Sequence, residues 1–280
     1  MYLTVLGHPT YCYTGGKPSD AAKPTIVFIH GVLNDHSVWI LQTRYLAHHG
    51  FNVLAVDLPG HGRSAGPQHD VEPCRTVESA ADFILALLDA AGVQTAALVG
   101  HSFGSLIALE VAARAPQRVS HLAMVGTAFP MPVSPALLET SLNQPMKAID
   151  MVNTFSHSML APPPSALGPG TWLYGGSKAL MRRIHASNTR FNLFHTGFTA
   201  CNDYKQGLAG VKHASAAMLF VVGKSDQMTP PKAAMALVNK AKAQGKAVKV
   251  VTLEAGHQLM TEAPDGVLMA LRDFLAPLLH

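Results

Sequence analysis

Apolar runs of strand length alternate with segments of helical periodicity over the first 125 residues of the chain. The runs at 25–29, 52–56, 96–100 and 119–125 predict strands, and the segments at 36–48, 76–92 and 105–114 predict helices. Such alternation predicts a mostly parallel sheet with helices on both faces. Two shorter runs, 2–6 and 10–13, precede it and are expected to form a hairpin joined near residues 7–9.

The pattern changes between residues 128 and 210, where strand-like runs disappear and proline is frequent. Helices are predicted there at 135–156, 177–188 and 191–204, with a break at Pro162-Pro163-Pro164. The first pattern then returns as strands at 218–222 and 248–253 and helices at 231–243 and 264–278. We therefore predict an α/β core formed by residues 1–127 and 211–280, with residues 128–210 inserted as a helical cap.

The segment Gly100-His101-Ser102-Phe103-Gly104 stands where a predicted strand meets a predicted helix. This is the strand–turn–helix context that a G-x-S-x-G nucleophile elbow requires. A turn this tight strains its central residue, and side chains at Gly100 and Gly104 would collide with the neighbouring strand and helix. The turn would lift the Ser102 hydroxyl clear of the sheet and place it at a helix N-terminus, where unpaired N–H groups favour negative charge. By itself the motif is short enough to arise by chance, as a glycine-rich turn with an incidental serine.

Two further polar sites follow the last two predicted core strands. They are Gly223-Lys224-Ser225-Asp226-Gln227-Met228-Thr229-Pro230 and Ala255-Gly256-His257-Gln258. Since ligands in open α/β sheets collect at the carboxyl ends of the strands, both sites are expected near the elbow. The chain order Ser102, Asp226, His257 is that of an α/β-hydrolase triad.

With these motifs the chain resembles the α/β-hydrolase family, specifically its cap-bearing members with a serine nucleophile. The resemblance covers the chain outside the predicted cap and also rests on His30-Gly31-Val32 and Asp57-x-Pro59-Gly60-His61-Gly62-x-Ser64. It implies that Ser102 is the nucleophile, His257 the general base and Asp226 the acid that orients the base. It also implies an oxyanion hole made by the backbone N–H groups of Val32 and Phe103, with His30, Gly31 and His101 in supporting positions.

Three other carboxylates are alternatives to Asp226 as the acid. Asp57 follows an earlier strand, but its expected role is hydrogen bonding within its own loop. Asp203 is expected to end a helix of the cap, and Glu254 to be a solvated charge at a strand end. His61, like His30, follows a strand and is expected to shape a loop rather than to react.

Serine at the elbow separates the chain from the epoxide hydrolases and haloalkane dehalogenases of this fold, which by resemblance carry aspartate there. The expected reaction is acyl transfer to water without a cofactor, and a small-molecule ester or related acyl compound is the expected substrate. Thioester, lactone and amide substrates stay open. The main alternative is a C–C bond hydrolase of aromatic ring-cleavage products, which would need basic side chains around the substrate carboxylate. A non-catalytic ligand receptor on the same scaffold is a third hypothesis, which an intact triad disfavours.

Large apolar side chains are frequent in the predicted cap and favour an apolar acyl or alcohol group of modest size, although packing between cap helices explains any single one better. They are Met146, Met151, Phe155, Met159, Leu160, Trp172, Met181, Phe191, Phe194 and Phe198. Arg182, Arg183, Arg190 and Lys224 are candidates to meet an acidic substrate, and solvated helix faces explain them equally well.

Composition further restricts the classes of partner that the protein is expected to bind. Of the 280 residues 48% are hydrophobic and 14% charged, and the longest apolar runs fall short of the ~20 residues that a membrane span needs. At a net charge of +4, Lys and Arg do not cluster with aromatic residues, so neither nucleic acid nor a membrane is an expected partner. The 15 histidines include no zinc-binding spacing, so no metal is expected. Three distant cysteines and the lack of a basic leader favour the cytoplasm, and a homodimer is left open.

Overall fold

The computed structural model describes residues 1–158 and 172–279. In that part of the chain eight strands form one sheet, in the order β1-β2-β4-β3-β5-β6-β7-β8. The strands are β1 (Tyr2–Val5), β2 (His8–Tyr13), β3 (Thr25–Ile29), β4 (Asn52–Val56), β5 (Ala96–His101), β6 (Val119–Val125), β7 (Ala217–Gly223) and β8 (Val248–Leu253). Strand β2 pairs antiparallel with β1 and β4, and every other pair is parallel. The predicted mostly parallel sheet is confirmed.

Helices cover both faces of this sheet. They are α1 (Ile40–His48), α2 (Val77–Ala90), α3 (Phe103–Arg114), α4 (Pro135–Asn143), α5 (Pro145–Ser156), α6 (Leu173–Ala186), α7 (Leu193–Asp203), α8 (Gly207–His213), α9 (Pro231–Ala243), α10 (Leu259–Glu262) and α11 (Pro264–Leu275). Apolar side chains of α2, α3, α8 and α9 form one core with the sheet, and those of α1, α10 and α11 form a second core on the opposite face. Across the described residues no helix is both long and apolar enough to cross a membrane.

Strand β3 shows why its sequence is apolar without interruption. All five of its residues are buried. Val27 and Ile29 point into the core that contains α2 and α3, whereas Ile26 and Phe28 point into the core that contains α1 and α11. A strand covered on both faces needs apolar side chains at odd and even positions alike, so the alternation typical of a half-exposed strand is absent from β3.

The N-terminal hairpin forms as predicted, but its turn lies earlier in the chain. Leu6 and Gly7 make the turn, with φ of 49° and 85°. Two consecutive residues with positive φ match the twist of a hairpin, and this fixes a two-residue loop at these positions. Pro9, which was expected in the turn, instead lies in β2 opposite Thr4.

Between β6 and β7 the chain forms a helical insertion. The single helix predicted at 135–156 is wrong: it is two helices, α4 and α5, separated at Gln144. Pro145 causes the break, because proline pushes the residue before it out of the helical region, and Gln144 has φ −140° and ψ 62°. Helix α8 was not predicted and crosses residue 210, so the cap boundaries stay a prediction. Pro162-Pro163-Pro164, Met159 and Leu160 lie outside the described residues.

The insertion lies at the edge of the sheet where the parallel strands end. Its buried side chains, among them Ile149, Met181 and Phe194, form a third apolar cluster with Leu33 from the loop after β3. An ion pair of 3.1 Å joins Arg183 Nη2 on α6 to the buried Asp35 carboxylate in the same loop. The insertion therefore covers the segments that follow β3, β5, β7 and β8.

The turn between β5 and α3 provides a test of the fold. A Cβ on Gly104 would overlap the carbonyl oxygens of Ile29 and His30. These are backbone atoms at the centre of the sheet and cannot move aside. We expect Gly104→Ala to destabilise the protein by about 3 kcal/mol or more, or to prevent folding. At Gly176 in α6 a Cβ would meet nothing within 4 Å, so Gly176→Ala should stabilise by about 0.5–1 kcal/mol. Urea unfolding measures both, and equal effects at the two glycines would contradict this account of the turn.

Candidate active site

Ser102 occupies the sharp turn that joins β5 to α3. Its φ of 52° and ψ of −119° lie in a region that residues with a side chain rarely adopt. The flanking glycines permit this backbone, because a Cβ on Gly100 would overlap the carbonyl oxygen of Gly104. The overlaps at both glycines agree with the collision expected from the sequence.

Hydrogen bonds fix the Ser102 backbone and leave its side chain free. Ser102 N donates to Val125 O at 2.9 Å, and Ser105 Oγ donates to Ser102 O at 2.5 Å. The Ser102 hydroxyl makes no hydrogen bond within the described residues. It stands one residue before α3, where the N–H groups of the first helical turn favour negative charge.

His257 and Asp226 form a buried pair between the loops that follow β8 and β7. His257 Nδ1 lies 2.8 Å from Asp226 Oδ2. The carboxylate only accepts, so Nδ1–H is the donor, and in the neutral ring Nε2 is left without a proton. Among the residues that the structure describes, Nε2 has no hydrogen-bond partner. The pair therefore holds the tautomer in which Nε2 can accept a proton.

Thr229 contacts both residues of this pair and was not predicted as a site residue. Its hydroxyl oxygen lies 2.8 Å from Asp226 Oδ2, 3.0 Å from His257 Nδ1 and 3.0 Å from Gly126 O. Its backbone N–H also donates to Asp226 Oδ1 at 2.8 Å. The spacing Asp-x-x-Thr, in which a side-chain oxygen receives the N–H three residues on, is the signal that could have indicated this role.

The pKa of the Asp226 carboxyl is held below its ordinary value. Burial by itself raises the pKa, since it disfavours the charged form. The charge on the His257 ring, the hydrogen bond from that ring and the two from Thr229 favour the charged form, and together they outweigh burial. Asp226 is therefore ionised at neutral pH and stabilises a positive charge on His257.

The end of α5 holds the backbone on which His257 lies. Ser156 O accepts hydrogen bonds from His257 N at 2.8 Å and from Gln258 N at 3.1 Å. On the other side of the loop Glu262 accepts from Gly256 N at 2.7 Å and from Ser158 N at 2.8 Å. The position of His257 thus depends on the insertion as well as on the sheet. Nothing in the sequence pattern around Glu262 indicated this.

Ser102 and His257 line one cavity beneath the insertion. Its apolar lining is Val32, Val152, Met181, Phe194, Phe198 and Met228, and its polar lining is Asn34, His101, Ser102, Ser156, His257 and Gln258. Three of the apolar side chains proposed for the cap therefore face the site. Met146, Phe155 and Trp172 are exposed instead. Val152 and Ser156 are four residues apart on α5, so helical spacing could have placed them together.

The backbone N–H groups of Val32 and Phe103 are both unpaired. Neither donates a hydrogen bond within the described residues. Val32 lines the cavity that contains Ser102, and Val32 and Phe103 together line an adjoining apolar cavity of about 280 Å³. The neighbouring Leu33 has φ 53°, a conformation that is strained for a residue with a side chain. Two unpaired N–H groups, one on the residue after Ser102 and one on the loop after β3, are the kind of donors that an oxyanion hole requires.

Two histidines of the predicted supporting set are fixed by backbone contacts. His30 donates from Nδ1 to Gly31 O at 2.8 Å and accepts from Leu58 N at Nε2 at 3.1 Å. His101 donates from Nε2 to His257 O at 2.9 Å. Burial, followed by the charge of His257, lowers the pKa of His101 to about 3, so it stays neutral and fixes the loop rather than exchanging protons. A Cβ on Gly31 would lie 2.9 Å from His101 Nδ1, which explains the glycine there.

The alternative carboxylates lie elsewhere. Asp57 is buried and accepts hydrogen bonds from His36 N at 2.8 Å, His36 Nδ1 at 2.7 Å and Arg63 N at 2.9 Å, as expected for a loop-forming residue. Asp203 is exposed at the end of α7. Glu254 is exposed and pairs with Lys224 at 2.7 Å.

Cations are absent from the described lining of the cavity. Arg183 is engaged with Asp35, and the Lys224 ammonium is engaged with Glu254, so both are accounted for by partners of their own. Arg190 lies over the ring of Phe191 at 5.6 Å. The described residues also contain no group of three or more His, Cys, Asp or Glu side chains that could hold a metal ion.

Comparison with known proteins agrees with this architecture. A family model described as alpha/beta hydrolase fold matches residues 24–158. The structure of an esterase from Exiguobacterium antarcticum superimposes with a TM-score of 0.80, covering 98% of this chain and 98% of that chain at 17% identity. The chain has the α/β-hydrolase fold.

Similarity to curated proteins of this family is local. A dihydrolipoyllysine-residue acetyltransferase component of an acetoin cleaving system from Cupriavidus necator is 38% identical over 101 residues, which are 36% of this chain and 26% of that protein. Bifunctional epoxide hydrolase 2 of Mus musculus is 29% identical over 136 residues, 49% of this chain and 23% of that protein. The chain matches about a quarter of the length of these relatives, so the likeness concerns a shared segment of the α/β-hydrolase fold.

Thr229 allows a test of the buried charge in this α/β-hydrolase fold. Thr229→Val removes the hydroxyl from Asp226 and should destabilise the protein by about 1.5–3 kcal/mol at pH 7, whereas Thr229→Ser should cost much less. The contribution of a carboxyl with a lowered pKa is complete above the unfolded value of about 4 and is lost as the pH falls through the lower folded value. The difference between Val and Ser variants should therefore shrink from pH 7 toward pH 3 in urea unfolding. If the stability difference between the two variants grows toward pH 3, the lowered pKa of Asp226 is contradicted.

Proposed function

We propose that this protein hydrolyses carboxylic esters of small to medium, largely apolar substrates through an acyl-enzyme formed on Ser102. The observation that carries the proposal is one cavity lined by two groups. One is a strained Ser102 whose hydroxyl makes no hydrogen bond within the described residues, and the other is a His257 ring whose Nδ1 is held by Asp226. Serine, base and orienting acid in this chain order are the parts that acyl transfer needs.

The reaction follows from the roles of these groups. His257 Nε2 accepts the hydroxyl proton as Ser102 Oγ attacks the ester carbonyl carbon, and Asp226 stabilises the imidazolium. The N–H groups of Val32 and Phe103 receive the negative charge on the carbonyl oxygen. The bond to the alcohol oxygen then breaks, and the alcohol leaves with the proton from His257. Water repeats the sequence at the acyl carbon, which releases the acid and restores Ser102.

The side chain at position 102 supports acyl transfer over epoxide opening, although an epoxide hydrolase is among the relatives. By family resemblance an epoxide hydrolase uses an aspartate at the elbow, and this chain has a hydroxyl there. Among the described residues the cavity lining holds no Lys or Arg, which weighs against a C–C bond hydrolase, because its substrate carries a carboxylate that needs a cation. A neutral ester fits a cavity of this composition best.

The insertion is proposed to act as a cap that selects the substrate. Helices α5, α6 and α7 contribute Val152, Met181, Phe194 and Phe198 to one wall of the cavity. These side chains favour an apolar acyl or alcohol group. His257 and Gln258 donate backbone hydrogen bonds to Ser156 O, so a shift of the cap on substrate binding would also move the backbone of the proposed base, His257.

The first test of the proposal is hydrolysis of 4-nitrophenyl butyrate and labelling by a fluorophosphonate. Ser102→Ala should lose roughly 10⁴-fold or more in kcat and should not be labelled, because the nucleophile is gone. Ser215→Ala, which changes an exposed serine whose hydroxyl donates to Pro116 O at 3.0 Å, should behave like the original protein. The 4-nitrophenyl monoester of succinic acid should be at least about tenfold poorer than the butyrate, because no cation meets its carboxylate. Absence of both turnover and labelling would refute the proposal.

A second test separates the two buried aspartates. Asp226→Asn should reduce ester hydrolysis by about 10⁴-fold, because the amide favours the wrong tautomer of His257. Asp57→Asn should instead lower the free energy of unfolding by about 3 kcal/mol, since it breaks the buried pair with His36, and should retain hydrolysis wherever it is folded. The measurements are hydrolysis rates and urea unfolding curves of both variants. If the folded Asp57→Asn protein loses activity while Asp226→Asn keeps it, Asp57 and not Asp226 is the acid that orients His257.

A further inference from the structure

Two carboxamides with little exposed surface lie beside the candidate active site. Asn34 is 2% exposed and Gln258 is 5% exposed. Neither side-chain amide takes part in a hydrogen bond within the described residues. Their polar atoms are not among the fully buried side-chain atoms that lack a partner, so they reach the open space that the two side chains line. Unpaired donors and acceptors on a cavity wall are available to a ligand.

Both carboxamides stand where the cavity meets an outer groove. They line the cavity that contains Ser102, and they also line a groove of about 1000 Å³ along α6. No other residue lines both spaces in the part of the chain that the structure describes. A substrate that extends from Ser102 into the groove would pass both amides.

The backbones that carry these amides are fixed. Asn34 N donates to Gly31 O at 3.3 Å. Gln258 N donates to Ser156 O, and Gln258 O accepts from Thr261 N at 3.0 Å and from Thr261 Oγ1 at 3.1 Å. The amides are therefore held near the path while their donors and acceptors stay free, which lowers the cost of ordering them around a ligand.

The charge around the two amides selects a neutral ligand group. Each carboxamide offers two N–H donors and one carbonyl acceptor, which is the complement of another amide. The nearest cation in the groove lining, Arg183, is paired with the buried Asp35 carboxylate at 3.1 Å. A carboxylate on the ligand would find no free cation among the described lining residues, whereas a secondary amide would satisfy donor and acceptor together.

We propose that Asn34 and Gln258 form a recognition site for a secondary amide of the substrate, a few atoms from the ester that Ser102 attacks. The inference rests on the proposed function and narrows its substrates to neutral esters that carry an amide group. The rest of the substrate contacts the apolar side of the cavity, including Val152 and Met228. The two amides determine specificity and take no part in bond breaking.

Two matched pairs of esters test the site, one with the amide in the acyl group and one with it in the alcohol. The first pair is 4-nitrophenyl N-acetylglycinate and 4-nitrophenyl 4-methylpentanoate, and the second is 2-acetamidoethyl butyrate and 4-methylpentyl butyrate. In each pair an amide replaces apolar atoms of the same shape. The measured quantity is the ratio of kcat/KM for the amide ester to that for its apolar partner, so differences in intrinsic reactivity cancel between protein variants.

Gln258→Met and Asn34→Leu should each lower this ratio about fivefold in one of the two pairs, since each removes a neutral hydrogen bond. Gln244→Met, the same change at an exposed residue that lines neither space, should leave the ratio within about twofold. Asn34 lies close to the segment of Val32, so Gln258→Met carries the test if Asn34→Leu does not fold. A ratio that neither variant moves in either pair overturns the inference, even when both esters are cleaved.

A binding measurement separates this inference from the proposed function. In the Ser102→Ala protein, calorimetry should show 2-acetamidoethyl butyrate bound about fivefold or more tightly relative to 4-methylpentyl butyrate, and Gln258→Met should abolish the preference. If the original protein cleaves no ester yet shows this preference, the proposed function fails and the amide site stands. If esters are cleaved with dependence on Ser102 and no preference is found in binding or turnover, the amide site fails alone. Absence of any binding overturns it as well.

Discussion

The contact between His257 Nδ1 and Asp226 Oδ2 is the interaction on which the rest of the candidate site depends. It is 2.8 Å long and almost wholly buried, and it joins the loops after two neighbouring parallel strands. A buried carboxylate is costly unless every lone pair finds a donor. The ring of His257 together with the hydroxyl and N–H of Thr229 supplies those donors, so the charge persists at this edge of the sheet. Without it, the histidine ring that lines the cavity of Ser102 would have no fixed tautomer.

The same pair explains why the helical insertion cannot be treated as a passive cover. The last carbonyl of α5, Ser156 O, accepts from the backbone N–H of His257, and Glu262 joins Ser158 to Gly256 on the other side of that loop. A displacement of α5 would therefore move the backbone of His257 as well as the cavity wall. Four backbone N–H groups make this link, those of His257 and Gln258 to Ser156 O and those of Gly256 and Ser158 to Glu262.

The sheet and the loop motifs were predictable because local physics dictates them. A strand covered on both faces must be apolar throughout, as β3 is, and a turn as tight as that at Ser102 tolerates only glycine at 100 and 104. The insertion was less predictable. Pro145 divides a predicted helix at Gln144. The sequence also does not distinguish the buried apolar side chains of the insertion from the exposed ones, so Met181, which lines the cavity, and Phe155, which is exposed, look alike.

Contacts that join distant segments left the weakest trace in the sequence. Ser156 and Glu262 join the loop of His257 to the end of α5 across a long stretch of chain, and their own neighbours show no special pattern. Thr229 had one local signal, its spacing from Asp226. Asn34 and Gln258 lie beside recognised motifs, yet an amide in a loop is ordinary until its burial is known. Once the structure places them, the missing partners become informative: both amides line the cavity of Ser102 and the outer groove, and neither is paired with a described residue. Polar groups that the fold leaves unpaired on a cavity wall keep their donors and acceptors for a ligand, and this is the physical basis of the proposed amide site.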